Sequence, residues 1–317
     1  MKIATWNVNS LPVRLPQVLD WIRERSPDIL CLQETKVVDS RFPGEEFGKA
    51  GYHALFRGQP TYNGVAILAR APVSDPIRGF PGWEDPECRI LGATVGDLRV
   101  INVYVPNGQE LGTDKYRYKI LWLSHLARLL ENERARHPRI VVLGDFNIAP
   151  EDRDAWDPAL AGQIFLSPDE RAALSALMND YFDDAFRLLH PEEGHFSWWD
   201  YRQGMFRRNM GLRIDLILTS RTLCQSLKDA GIDRHIRKND RPSDHAPSGS
   251  ISSECPNHSP GGSLSLMVVS LHPARNEGRL APSLAEPDRL AQALAAGNAP
   301  VSGPPAIRPG RMSRSQR

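Results

Sequence analysis

Aromatic residues are missing from the last 70 positions of this 317-residue chain, because all 24 Trp, Tyr and Phe lie before residue 248. A stretch without aromatics that is rich in Ser, Pro, Gly, Ala and Arg cannot bury enough apolar surface to offset the entropy of ordering. Paired cysteines are missing too. Cys31, Cys88, Cys224 and Cys255 stand far apart with no Cys-x-x-Cys, which argues against a thiolate zinc site and leads us to expect a reducing, cytoplasmic setting. No apolar run reaches membrane-spanning length, and Met1-Lys2 leads directly into a strand-like run, so neither a span nor a signal segment is expected. An excess of one charge is also lacking: the net charge is +1, and attraction to a polyanion must rest on local clusters. What is present is 41% hydrophobic residues, enough for one large domain or two small ones.

The apolar periodicities predict strands and helices in mixed order. "KIATWNV" alternates as a strand does, "LPQVLDWIRER" places Leu15, Val18, Leu19 and Ile22 on one helical face, and "ILCLQE" is a short apolar run. This is a β-α-β opening. Strand-like "GVAILAR", "RILGATV" and "LRVINVYV" follow, the last two joined by a two-residue turn at Gly96-Asp97. A helix is expected from about Tyr116 to Arg134 with Ile120, Leu123, Ala127 and Leu130 as its stripe, then the buried strand "RIVVLGD". "SPDERAALSALMN", capped by Ser167, "YFDDAFRLL", "HFSWW" and "RIDLILTS" complete the pattern.

Oxygen-bearing side chains sit where these apolar runs stop: Asn7 after the first strand, Glu34 after the second, Asp145 and Asn147 after "IVVLG". Strand ends are where α/β-type folds place chemistry. Residues two apart on an extended segment point the same way, so Asp145 and Asn147 can converge while Phe146 packs behind. Carboxylate and amide oxygens without thiolates favour magnesium. Each piece alone also fits a simpler origin: Asp-Phe-Asn a turn, Glu34 a solvated strand end, Ser243-Asp244-His245 an Asx-type turn. Their joint occurrence is the stronger signal.

Taken together and in order, "TWNVNS", "CLQETK", "LGDFNIAP", "GLRIDLIL" and "PSDHAP" resemble the exonuclease III family of abasic-site endonucleases, within the deoxyribonuclease I-like phosphodiesterases, from Met1 to Pro247. "LPVRL" and "FSWWDYR" narrow the resemblance to its DNA-repair branch. It implies a four-layer α/β sandwich, with two mixed sheets packed face to face under flanking helices. It also implies a Mg²⁺-dependent enzyme, with Mn²⁺ as a substitute, that cuts duplex DNA 5′ to abasic sites and removes nucleotides from 3′ ends. A cytoplasmic monomer with no membrane partner is expected.

The resemblance implies roles residue by residue. Glu34, with Asn7, would hold the metal; Asp145 would orient and deprotonate the attacking water, and Asn147 would fix that carboxylate. His245 would donate to the phosphate, with Asp215 on its far nitrogen, although Asp145 and His245 could exchange roles. Asp244 would complete the metal or histidine shell, so the expected metal set is Asn7, Glu34, Asp145, Asn147, Asp244 and His245. Tyr104 would stabilise the phosphate or the leaving oxygen, and Asn107 would touch the backbone nearby. "WWDYRQGMFRRNMGLR" interleaves Arg202, Arg207, Arg208 and Arg213 with aromatics, a pattern suited to a DNA backbone. Trp198 would wall a pocket for a baseless sugar, one of Trp198 and Trp199 belongs to the core, and Arg89 would reach phosphates. The histidines at 53, 125, 137, 190 and 195 read as ordinary surface or packing residues.

One departure stands out. The resemblance calls for an apolar strand directly after "SDHAP", whereas here "SGSISSEC" follows. We therefore expect a catalytic domain over residues 1–247 that lacks its final strand. Residues 248–317 read as a low-complexity, largely disordered tail from a shifted frame or fusion, with "LSLMVVSL", Leu264 to Leu271, available to fill the gap. Alternatives are a superfamily phosphodiesterase acting on RNA or phospholipid, or a DNA-binding module that no longer cleaves.

Overall fold

Two six-stranded sheets lie face to face in the computed structural model of the protein, which describes residues 1–252. Along the chain come β1 (Lys2–Asn7), α1 (Leu11–Arg25), β2 (Ile29–Gln33), α2 (Gly44–Lys49), β3 (His53–Arg57), β4 (Val65–Ala69), β5 (Val73–Ile77), β6 (Ile90–Val95) and β7 (Leu98–Tyr104). They are followed by α3 (Asp114–Arg136), β8 (Ile140–Asp145), α4 (Pro168–Met178), β9 (Phe182–Asp184), α5 (Ala185–Leu189), β10 (Asp215–Ser220), α6 (Arg221–Cys224), β11 (Leu227–Ile232) and β12 (Ser248–Ser252). Local chemistry explains the helix limits. α1 carries Pro12 in its first turn, Arg23 and Arg25 in its last, and stops at Ser26 in the left-handed conformation. The Thr113 side chain caps α3 by accepting from the Tyr116 N–H, and Ser167 with Glu170 forms the capping box of α4.

The sheets run β11-β12-β1-β2-β4-β3 and β5-β6-β7-β8-β10-β9. Each contains a parallel pair, β1–β2 and β7–β8, bridged by a crossover helix, α1 or α3. Side chains alternate accordingly. Ile3, Cys31, Ile67, Val100, Val141 and Leu143 fill the space between the sheets. Trp6, Leu30 and Leu68 face Val18, Trp21 and Ile22 of α1, while Ile101, Val103 and Val142 face α3 and α4. The architecture is the four-layer α/β sandwich. On α3 the buried stripe is Trp122, Leu123, Leu126, Leu129 and Leu130, whereas Ile120 and Ala127 lie at its margin. Gly144 is required where β7 and β8 approach: at φ +147° its position leaves no room for a Cβ, which would stand 1.9 Å from the Val103 carbonyl oxygen.

The final strand is not missing, contrary to expectation. Ser248–Ser252 forms β12 between β11 and β1, antiparallel to both, with Lys2 opposite Ile251 and Thr5 opposite Ser248. Strand pairing is made by backbone groups, so a Ser-Gly-Ser segment can occupy a slot with partners on both sides although its side chains favour no strand. The small side chains leave space instead: a cavity of about 230 Å³ opens beside Gly249 and Ser250, next to Ala4, Trp21 and Ala230. Ser248 Oγ is buried without a hydrogen-bond partner. The run Leu264 to Leu271 and the rest of the expected tail beyond residue 252 lie outside the described residues. Among the described residues no helix is long and apolar enough to cross a membrane.

Candidate active site

Strand register assembles the site. Across β7, β8 and β10, Tyr104 pairs with Asp145 and Asp145 with Asp215, so three inward-facing polar residues form one row at the end of the inter-sheet core. Facing them, Asn7 pairs with Gln33 across β1 and β2, and Glu34 follows at φ +51°. Left-handed backbone recurs at Asn9, Ser10, Lys36 and Asn147, and such conformations cluster where side chains must be turned into a site. His245 lies three residues before the start of β12. Its backbone N–H donates to Ser243 Oγ, and the Ser243 hydroxyl donates in turn to the Asn7 carbonyl at 2.7 Å.

The polar groups then interlock. Asn7 Nδ2 donates to Glu34 Oε1 at 2.8 Å and to Asp145 Oδ2 at 2.9 Å, while its Oδ1 accepts from the Asn9 N–H. Asp145 Oδ1 accepts the Asn147 N–H at 2.9 Å, and Asn147 Nδ2 lies on the Val105 carbonyl. His245 Nδ1 stands 2.8 Å from Asp215 Oδ2, and its Nε2 is 3.7 Å from Asp145 Oδ2. Burial alone would lower the His245 pKa, but the Asp215 and Asp145 carboxylates outweigh it and push it up to about 10. Burial raises Asp145 to about 7, with His245 pulling it down and Asp215 pushing it up. Tyr104 is raised well above a free phenol by burial first and then by the negative charge of Glu34.

Glu34, Asp145 and His245 form a group whose ligand atoms lie within 4.8 Å of one another, close enough to share a metal ion. With His245 Nδ1 committed to Asp215, the hard oxygens are those of Glu34 and Asp145, and a cation is already drawn there: Lys36 Nζ lies 2.8 Å from Glu34 Oε2. This carboxylate pair suits a hard divalent ion. Three other residues expected in the metal set have their polar atoms engaged by protein partners. Asp244 has its Oδ1 held by Asn9 Nδ2 and its Oδ2 by Trp198 Nε1, both at 3.0 Å. Asn147 Oδ1 accepts from Asn107 Nδ2, and Asn7 turns its donor nitrogen, not its oxygen, toward the carboxylates. These three orient the carboxylates and the pocket wall.

The remaining expected residues divide by burial. Arg89 lays its guanidinium over the Tyr104 ring at 4.6 Å, and Asn107 is exposed at the mouth. Trp198 is half-buried, edge-on to Phe165, whereas Trp199 is fully buried and belongs to the core. Arg207 and Arg208 are exposed. Arg202 is exposed but clamped on Asp200. Arg213 corrects the expectation: it is completely buried, with Nε 2.6 Å from Asp154 Oδ1 and Nη2 2.8 Å from Asp184 Oδ2. No phosphate can reach it. Its place beside the exposed arginines in sequence hid this, since only packing tells an inner guanidinium from an outer one.

Several contributors went unread in the sequence. Lys119 of α3, fully buried, donates from Nζ to the Asn147 carbonyl at 2.7 Å and the Asn107 carbonyl at 3.3 Å, balanced by Glu170 at 2.5 Å. Ser197 Oγ accepts the N–H groups of Ile214 and Asp215, seating the start of β10. Arg14 joins the Asn9 carbonyl, the Tyr201 hydroxyl and the Pro242 carbonyl. Polar residues within helices and loops carry no periodic signal, and Arg14 was visible only as part of "LPVRL".

Known proteins resemble this chain in sequence and in fold. The sequence pattern of the Endonuclease/Exonuclease/phosphatase family matches residues 4–245. Exodeoxyribonuclease III of Haemophilus influenzae is 38% identical over 263 residues, covering 78% of this chain and 98% of that protein. Among solved structures, a 3′ phosphatase from Neisseria bound to a product DNA hairpin superposes with a TM-score of 0.79 at 44% identity, covering 80% of this chain and 100% of that one. An AP endonuclease from Archaeoglobus fulgidus does so at 0.76 and 36% identity, with the same coverage of 80% and 100%.

Proposed function

This chain belongs to the Endonuclease/Exonuclease/phosphatase family, and on that footing we propose that it is a Mg²⁺-dependent exodeoxyribonuclease III-like enzyme of DNA repair that incises duplex DNA 5′ to abasic sites and removes nucleotides from 3′ ends. The observation that carries the reading is the row Tyr104–Asp145–Asp215 closed by His245 and facing Glu34.

A phosphodiester resists hydrolysis because an anionic centre must be attacked and an alkoxide expelled. Glu34 and Asp145 would hold a magnesium ion, which supplies positive charge against a phosphate oxygen. The chain's own groups do the rest. Asp145, with its carboxyl near 7, accepts the proton of the attacking water, and the Asn147 N–H holds that carboxylate in place. His245, kept as an imidazolium by Asp215, presents its Nε2–H to the phosphate. Tyr104, kept protonated by burial, is a hydroxyl donor beside Glu34. Arg207 and Arg208 neutralise backbone charge, while Trp198, fixed by Asp244, walls the space for a sugar without a base. The reading as a non-cleaving module depended on a displaced Asp244-His245 pair, and against it stands the burial of His245 on Asp215, with β12 starting three residues later.

The test is a duplex carrying one abasic analogue, and a plain duplex with recessed 3′ ends, each incubated with and without Mg²⁺. Nicking on the 5′ side of the analogue and shortening from 3′ ends, both requiring the metal, are expected. Intact substrates in Mg²⁺ would overturn the proposal.

A further inference from the structure

Outside the catalytic cluster, the loop after α5 brings together His190, Glu192 and His195, three residues the sequence offered no reason to connect. His190 Nδ1 lies 3.2 Å and His195 Nε2 2.9 Å from the same oxygen, Glu192 Oε1. Pro191 and Gly194, the latter at φ +85°, turn the loop so that the three side chains converge. The two imidazoles are held from behind by the Phe186 ring, His190 stacked at 4.7 Å and His195 edge-on at 5.3 Å.

Hydrogen-bond accounting calls for a cation at His190 Nδ1, which either a second proton or a metal ion can be. His190 Nε2 is 2.7 Å from the Ala230 carbonyl oxygen of β11. A carbonyl can only accept, so Nε2 carries the proton. Nδ1 of the neutral ring is then a lone pair aimed at a carboxylate oxygen, so that two acceptors face each other. A proton on Nδ1 or a metal ion between ring and carboxylate removes the conflict, and the second imidazole on the same oxygen favours the metal. A histidine that donates its far N–H to a backbone carbonyl and offers the near lone pair is also the usual arrangement of a metal ligand.

We propose that His190, Glu192 and His195 form a second metal site, distinct from the catalytic one, which binds zinc or a similar transition-metal ion with water as the fourth ligand. Two imidazoles and one carboxylate are a zinc-type donor set, unlike the all-oxygen pair at Glu34 and Asp145. The spacing fits: ligands about 2.1 Å from a tetrahedral ion stand about 3.4 Å apart, and the three ligand atoms here already lie within 4.8 Å of one another. The side chains are 31%, 54% and 38% exposed, so an ion can enter. A bound ion would pin the loop to β11 through the His190–Ala230 bond, and that loop runs on through Ser197 and Trp198 into the active site.

The test uses the full chain dialysed against excess Mg²⁺, which occupies the catalytic carboxylates, and then titrated with Zn²⁺ or with Co²⁺ as a spectroscopic probe. One tight equivalent is expected, with the visible bands of a tetrahedral Co²⁺ centre, and Glu34→Gln should retain it. His190→Ala and His195→Gln should each weaken binding by more than about 100-fold, since loss of an outer partner alone costs up to that much. Should His190→Ala fail to fold, because its ring also packs on Phe186, His195→Gln decides the matter. The idea is overturned if wild type takes up no zinc in excess Mg²⁺, if His195→Gln binds it equally well, or if Glu34→Gln abolishes the uptake.

Discussion

Asp145 and Asp215 stand directly opposite each other on antiparallel β8 and β10, and the His245 imidazole lies against both, 2.8 Å from Asp215 and 3.7 Å from Asp145. Like charges facing each other across neighbouring strands repel. A protonated His245 converts that repulsion into a shared ion pair, so the catalytic row also holds the two sheets' ends together.

Asp145→Ala and His245→Ala are each expected to lower kcat at saturating DNA by roughly 10²-fold or more, on the order of 3 kcal/mol, because both groups act chiefly on the transition state. The Kd for DNA should change little. Single-turnover rates and binding isotherms check this, and near wild-type turnover in either variant would contradict the assigned roles.

Asp215→Asn keeps the shape of the side chain and removes its charge. The His245 pKa, about 10 in the folded protein, lies above the roughly 6.5 of a free imidazole. The charged ring therefore stabilises the fold fully below that free value, and the contribution fades as pH rises through about 10. The substitution should move the alkaline loss of both activity and stability to lower pH. Melting curves and rate profiles across the alkaline range measure it, and an unmoved alkaline limb would count against the Asp215–His245 pairing.

Trp198→Ala should reduce the preference for abasic over intact DNA, and Asp244→Ala should do the same more weakly by releasing the Trp198 indole N–H. Competition between the two substrates gives the ratio directly. Equal losses on both would remove Trp198 from the pocket.

Exposed and buried arginines should separate cleanly. Neutralising Arg207 and Arg208 should flatten the log–log salt dependence of DNA binding by up to about 0.9 for each phosphate left without its cation. Arg213→Ala should leave that slope alone and instead destabilise the fold by about 3 kcal/mol, since it leaves Asp184 without its guanidinium and Asp154 with Arg187 alone. Denaturant titration and binding at several salt concentrations distinguish the two outcomes.

Because β12 pairs on both edges, a chain ending after Pro247 should melt well below one ending after Ser252, a loss of several kcal/mol that is large against a domain's marginal stability. Ser250→Val, adding apolar volume where the strand leaves a cavity, should raise the melting temperature. Equal melting of the two truncations would show that β12 contributes nothing.

The β-α-β opening, the hairpin at Gly96-Asp97, the Ser167 cap and the chemistry-bearing residues at strand ends were legible in the sequence, because each is a local matter of periodicity, turn chemistry or position next to an apolar run. Asn7, Glu34, Asp145 and Asn147 could be found that way, and the ordered motifs added Tyr104, Asp215 and His245. What the sequence could not reveal was pairing at a distance. β12 closes against residues about 250 positions earlier through backbone groups that composition does not report. Only packing decided that Arg213 turns inward, that Asp244 holds the Trp198 indole, and that His190 and His195 meet on Glu192. Charge and hydrogen-bonding capacity are written in the sequence, but which groups lose their water and must find one another is settled by the tertiary fold, where burial sets the cost of an unpaired group.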